Sequence, residues 1–159
     1  MIHAPSTAPT ELVALETAGY KALLTLLAAE LEALLRLDPE AIASAAAAKQ
    51  AQVQSLEQVA RNRRDALAAK GLPETAEGIT VWLAEVLDAA AARHAWGNLV
   101  ELARAAHDAN RRNGRVIERQ RSHYDAALAA LLGAAGVPAV YGADGRPQAG
   151  AARRTLATI

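Results

Sequence analysis

The amino-acid sequence predicts an all-α protein, an elongated antiparallel helical bundle or coiled-coil hairpin with a non-helical C-terminal tail. Apolar residues recur at three- and four-residue spacing over most of the chain, which is the period of a packed helix. The 52% of hydrophobic residues are mostly alanine and include no phenylalanine, so each buried position removes little apolar surface from water and the core should be thin. After residue 133, glycine, proline and small residues alternate and cannot sustain a helical period.

The first predicted helix opens with the segment STAPTELV, in which cap-forming residues precede the first apolar ones. Three- and four-residue steps define an apolar stripe that we expect to face the core. The stripe contains Leu12, Leu15, Ala18, Ala22, Leu26, Ala29, Ala33 and Leu37.

The second predicted helix has Asp38 as its N-cap and Pro39 at its first position, where the missing N–H costs nothing. It ends where Gly71 supplies a C-terminal stop and Pro73 follows. Its stripe contains Ile42, Ala45, Lys49, Val53, Leu56, Ala60, Arg63 and Leu67. Because the connection at Asp38 is so short, the two helices either fold back antiparallel or continue as one kinked rod.

A shorter third helix is predicted across GITVWLAEVLDAAAA, with Thr80 as its cap. The residues expected to pack on it are Val81, Trp82, Val86 and Leu87. The last helix is predicted from about Arg93 to Leu132. These boundaries divide the chain into a helical bundle over residues 1–133 and an extended or disordered tail over residues 134–159.

Composition argues against several function classes. With 17 basic and 17 acidic residues the chain has no net charge to attract nucleic acid, and it has no cysteine to act as a nucleophile. The histidines of the last helix are too far apart to share a metal, and phosphate-loop or nucleophile-elbow motifs are missing. The N-terminus lacks signal-peptide features, and glycine and proline interrupt the longest uncharged run. We therefore expect no catalysis, no metal, no cofactor, no nucleic-acid partner and no stable membrane insertion.

The seam of the last helix is apolar at both ends and polar in the middle. Steps of four and three give Trp96, Leu99, Ala103, Ala106, Asn110, Asn113, Ile117, Gln120, Tyr124, Ala127 and Leu131. Polar seam residues cost stability and fix the register of packed helices, which is the role expected of Asn110, Asn113 and Gln120. Gly114 would let another backbone approach closely. The alternative is a solvent-facing polar patch that tolerates a glycine.

The same stretch carries a family resemblance. Asn110 to Gly114 has the pattern N-x-x-N-G, Trp96 precedes it, and the segment VYGADGRP follows the helix after a linker of small residues. Val116-Ile117, Gln120 and Ala127-Leu128 continue the pattern within the helix. In this order the signals resemble the FlgN family of flagellar export chaperones.

The resemblance implies a cytoplasmic chaperone that performs no chemistry and holds the hook-associated proteins FlgK and FlgL before type III export. Such a protein needs an exposed apolar helical face for the amphipathic helix of its client. The candidate client-binding face contains Leu99, Leu102, Ala106, Ile117, Tyr124, Leu128 and Leu131. The resemblance further implies that Tyr141, with Gly142, docks on the export gate protein FlhA.

Two other classes remain open at this stage. A structural coiled-coil adaptor would self-associate through the same apolar stripe. An RNA-binding helical protein would use the basic strip Arg111, Arg112, Arg115 and Arg119, although most such strips are solvated helix faces.

Overall fold

Four helices make up most of the part of the chain that the structure describes. The computed structural model describes residues 8–134, 139–141 and 147–149. The helices are α1 Pro9–Arg36, α2 Pro39–Ala69, α3 Ala76–Ala84 and α4 Ala89–Ala134, followed by the strands β1 Ala139–Tyr141 and β2 Pro147–Ala149. The predicted all-α class is confirmed, and the described residues beyond Ala134 are non-helical as expected.

A two-residue turn joins α1 to α2. Leu37 closes α1 in the left-handed conformation (φ 54°), and its N–H and that of Asp38 donate back to carbonyls of the last turn of α1. The Asp38 carboxylate then accepts from the N–H of Ala41 at 3.0 Å, as the sequence predicts for an N-cap. The turn reverses the chain, so that the hairpin prediction is confirmed and the kinked rod is wrong.

The connection between α2 and α4 contains α3. Gly71, with a φ of 68°, terminates α2 as expected. The predicted cap of α3 is wrong: the Thr75 hydroxyl caps the helix by accepting from the N–H of Gly78, whereas Thr80 lies inside it and donates to Ala76 O. Since a Cβ at Gly78 would stand 2.0 Å from the carbonyl oxygen of Pro73, only glycine lets this first turn fold so tightly against the loop.

The helix α4 begins four residues earlier than predicted. Its first turn is capped by the Asp88 carboxylate, which accepts from the N–H of Ala91 at 2.9 Å. Leu99 of α4 belongs to the same buried cluster as Leu12, and Asn113 bonds to Leu27 further along α1. Within this bundle α4 therefore runs parallel to α1 and antiparallel to α2.

Two clusters of buried apolar residues form the core of the bundle. The first contains Leu12, Val13, Ala66, Leu67, Ile79, Trp82, Leu83, Ala92 and Leu99. The second contains Leu23, Leu27, Leu56, Ala106 and Ala109. Every residue of the stripe predicted for α2 is buried or half-buried, which confirms that prediction.

The stripe predicted for α1 is largely wrong. Its exposed members are Leu15, Ala18, Ala22, Ala29 and Leu37. The residues that α1 buries are instead Leu12, Val13, Glu16, Leu23, Leu27, Glu30, Ala33 and Leu34. Alanines surround this helix, so apolar periodicity does not single out one face, and the packed face includes two glutamates that an apolar pattern passes over.

The chain divides into two compact units, Met1–Arg115 and Val116–Ile159. The first contains α1, α2, α3 and most of α4. In the second, the rest of α4 is followed by an antiparallel strand pair in which Ala139 lies opposite Ala149 and Tyr141 opposite Pro147.

One helix of the described residues, α1, is long and apolar enough to cross a membrane by length and composition alone. The core helix of a water-soluble bundle passes the same test. In this structure α1 buries eight residues within the protein itself.

Candidate functional site

Asn113 lies at a buried polar contact between α1 and α4. It is 1% exposed, and its Nδ2 donates to Leu27 O at 2.8 Å and to Glu30 Oε2 at 2.9 Å. The other oxygen of Glu30 accepts from Lys49 Nζ of α2 at 2.6 Å, and the same ammonium lies 3.5 Å from Asn110 Oδ1. The two asparagines of the N-x-x-N pattern thus join α4 to both helices of the hairpin, at the polar positions predicted to set the register.

Gly114 lies on an exposed part of α4. A Cβ at this position would meet no atom within 4 Å, and the residue is exposed. The predicted close approach of another backbone is therefore not found among the described residues. Gln120, the third polar residue of the seam, is half-buried.

A second polar cluster centres on Arg63 of α2. Its Nε donates to Glu16 Oε1 at 2.7 Å and its NH1 to Glu74 Oε1 at 3.0 Å. The guanidinium carbon also lies 5.2 Å from the ring centroid of Trp96, within range of a cation–π interaction. Trp96, the tryptophan of the family pattern, is in this way fixed against the hairpin.

Tyr20 of α1 borders this cluster. Burial raises the pKa of the Tyr20 phenol, the charge of Glu16 raises it further, and the charge of Arg63 opposes the rise. The phenol therefore stays neutral throughout the physiological range. Its neutral form suits a half-buried position next to an ion pair.

Sequence reasoning missed the acidic partners in both clusters. The stripe predicted for α2 includes Lys49 and Arg63, but the stripe predicted for α1 includes neither Glu16 nor Glu30, which are both buried. A charged residue on a packed stripe is itself a signal, because a buried charge requires a partner of opposite sign.

The N-terminal part of the predicted client-binding face packs inside the bundle. Leu99 and Ala106 are each 3% exposed and belong to the two core clusters, and Leu102 is half-buried. The parallel packing of α4 along α1 covers this part of the stripe. Leu99 and Ala106 are therefore removed from the accessible face.

The C-terminal part of the same stripe is exposed. Ile117, Tyr124, Leu128 and Leu131 are 44 to 69% exposed. Steps of seven, four and three residues place them on one side of α4, in line with the buried Asn113. From Gly114 to Gly133 no described residue of α4 is buried.

The residues predicted to dock on the export gate lie beyond α4. Tyr141 is the last residue of β1, and Gly142 falls outside the described residues. Among the described residues, no group of three or more His, Cys, Asp or Glu side chains is placed to hold a metal ion.

Comparison with known proteins identifies the family of this chain. The FlgN protein family matches residues 6–149. The crystal structure of a flagella synthesis protein FlgN from Pseudomonas aeruginosa is similar, with a TM-score of 0.65 and 28% sequence identity, over 75% of this chain and 93% of that one. No curated protein matches the chain. Because the family match extends over most of its length, the chain belongs to the FlgN family.

Proposed function

We propose that this protein is a cytoplasmic flagellar export chaperone that captures FlgK-like and FlgL-like hook-associated proteins and delivers them to the export gate protein FlhA. FlgN is a family of flagellar chaperones rather than of enzymes, and the similar Pseudomonas protein is a flagella synthesis protein. The candidate site consists of an apolar helix surface and buried structural ion pairs. Such a surface suits binding.

The exposed stripe of α4, formed by Ile117, Tyr124, Leu128 and Leu131, carries the proposal. Large apolar side chains in a row on one helix face are the anchors of helix-in-groove recognition, in which a client's amphipathic helix lays its apolar side against them. Exposed apolar patches on soluble proteins often mark interaction sites. We name these four residues the client stripe.

Charge around the client stripe favours a particular client helix. Between residues 111 and 133 the chain has five arginines and two acidic residues. Only Arg121 among these arginines has an ion pair described within the helix, with Asp125 at 3.8 Å, and both side chains are largely exposed. A client helix with acidic residues beside its apolar face would therefore associate faster and be slowed by salt.

Replacing Leu131 with glutamate is expected to weaken capture of the C-terminal helices of a FlgK-like client about tenfold or more, because a charge replaces an apolar anchor. Titration calorimetry with the purified client fragment measures the effect. Leu35→Glu is the matched control, since Leu35 is 67% exposed and Leu131 69% exposed, but Leu35 lies on α1. Equal loss in both variants, or full capture by Leu131→Glu, would contradict the proposed stripe.

Replacing Tyr141 with alanine is expected to leave client capture unchanged and to weaken binding to the soluble domain of FlhA. An aromatic side chain contributes strongly to small interfaces because it buries a large area at low entropic cost. Pull-down of the client and of FlhA by the same variant separates the two steps. If both decline together, Tyr141 does not act specifically at the gate.

The client stripe would equally suit the self-associating adaptor considered from the sequence. An adaptor should form a stable oligomer through Leu128 and Leu131 in the absence of any client. Sedimentation velocity distinguishes the two functions when the Leu131→Glu variant and the unchanged protein are each measured with and without client. An adaptor is an oligomer without client that Leu131→Glu dissociates, whereas a chaperone changes its sedimentation only when client is added.

A further inference from the structure

An apolar groove lies in the first unit, and none of the four residues of the client stripe lines it. It has a volume of about 750 Å³ and runs between α1 and the start of α4. Alanines form much of its lining, and apolar residues of the α3–α4 connection contribute one end. The lining includes Ala14, Ala18, Ala91, Ala95, Leu83 and Val86. Ala18, a member of the stripe predicted for α1, is exposed and lines this groove.

Leu87 stands at the rim of this groove. Its side chain is fully exposed, although leucine is among the residues most often buried. The next residue, Asp88, caps α4 through the N–H of Ala91, which fixes the turn that carries Leu87. One surface thus presents a projecting apolar side chain beside an apolar hollow.

We propose that a second copy of this chain occupies the groove, in a two-fold symmetric contact in which Leu87 of each copy inserts into the groove of the other. In such a contact, if one residue touches another, the reverse contact is made as well, so a projection beside a hollow is complementary to itself. The alanine lining suits a single leucine, because small side chains leave room for it.

The charges at the rim fit the same arrangement. Lys21 and Asp88 both line the groove, and they carry opposite signs. In the proposed contact Asp88 follows the inserted Leu87, and Lys21 lines the groove that receives it, so the two charges can pair across the contact twice by symmetry. This match favours a second copy over a strongly acidic or basic partner.

The groove is short, and the contact should therefore be weak. Its α1 side runs from Thr10 to Lys21, about 16 Å of helix. We expect a contact along so short a piece of helix to bury less area than the roughly 800 Å² per partner of a standard stable interface. We expect a dimer that dissociates at micromolar concentrations.

Sedimentation equilibrium of the full chain between about 5 and 500 μM tests the proposal. The mass should rise from 16.6 kDa toward twice that value. Leu87→Glu should weaken dimerisation about 100-fold, because a symmetric dimer contains two copies of a contact worth about tenfold each. Ala18→Glu should do the same from the opposite side, and Leu35→Glu should leave the dimer unchanged. Both groove positions are exposed, so neither change threatens folding.

A cross-link gives a second measurement. The chain has no cysteine, so Leu87→Cys and Ala18→Cys chains mixed under oxidising conditions should form a disulfide between copies, and Leu35→Cys should not. Three results would overturn the proposal. The chain could remain a monomer at 500 μM, the dimer could persist in both Leu87→Glu and Ala18→Glu, or Leu131→Glu alone could dissociate it. Loss of client capture by Leu87→Glu without a change of mass would also overturn it, and would assign the groove to the client.

Discussion

Replacing Arg63 with methionine is expected to lower the free energy of unfolding by about 3 to 5 kcal/mol, because it leaves the Glu16 carboxylate buried without its partner. The side chains of Arg63 and Glu16 are only 10% and 6% exposed. The change also removes the guanidinium from the face of Trp96. Methionine fills much of the same volume, so the loss is electrostatic rather than a cavity effect.

Thermal and urea unfolding followed by circular dichroism measure this loss, which corresponds to a fall in Tm of about 10 °C. Arg64→Met is the matched control: it makes the same chemical change one position along α2 at an exposed residue, and should shift stability by less than about 0.5 kcal/mol. The pKa of Tyr20 should rise further in Arg63→Met, because the charge that lowers it is gone. Equal stability of the two variants would mean that Glu16 is not held by Arg63.

The hairpin could have been predicted in more detail from its charges. Glu16 and Glu30 are fourteen residues apart on α1, and Lys49 and Arg63 are fourteen residues apart on α2. In an antiparallel hairpin, partner positions have a constant sum, and both pairs, 16 with 63 and 30 with 49, satisfy this. The sequence therefore contained the register, in opposite charges at equal spacing on two helices that are predicted to be neighbours.

The packed face of α1 was not accessible by the same reasoning. Ala18 and Ala22 continue a regular apolar period, yet both are exposed, while Glu16 and Glu30 are buried. When alanine occupies several faces of a helix, burial is decided by its neighbours, and in this bundle these are the cations of α2 and Asn113 of α4. Apolar periodicity contains no information about such partners.

The outcome for the candidate site follows from the same physics. Leu99 and Ile117 occupy the same side of α4 and are similar in size and polarity, but one is in the core and the other is exposed. Which turns of a stripe are covered depends on the helices that lie against them and not on the stripe itself. Sequence reasoning could therefore find the stripe of α4, while only the structure separates its structural part from its accessible part.

Asn113 marks the last buried position of that stripe, and its replacement by leucine is expected to lower the free energy of unfolding by about 2 kcal/mol. Leucine keeps the volume but donates no hydrogen bond to Leu27 O or to the charged Glu30. The buried Asn113 Oδ1 has no hydrogen-bond partner within the described residues, so its removal recovers part of the cost. The net loss should therefore stay below the full penalty for breaking a buried charged contact.

Asn110→Leu is the matched control, because it changes the other asparagine of the same N-x-x-N pattern at an exposed position whose contact with Lys49 is 3.5 Å long. The Asn110→Leu change should lower the free energy of unfolding by less than about 0.5 kcal/mol.

The double variant Glu30→Leu with Asn113→Leu should recover much of the stability that Asn113→Leu loses. Lys49 is 24% exposed and can turn its ammonium to water once the Glu30 carboxylate is gone. Urea unfolding of the unchanged protein, Glu30→Leu, Asn113→Leu and the double variant yields the coupling energy of the Glu30 and Asn113 pair. A coupling near zero would show that Asn113 is held by Leu27 alone, and the N-x-x-N pattern would then fix the position of α4 through the backbone of α1 and not through its buried charge.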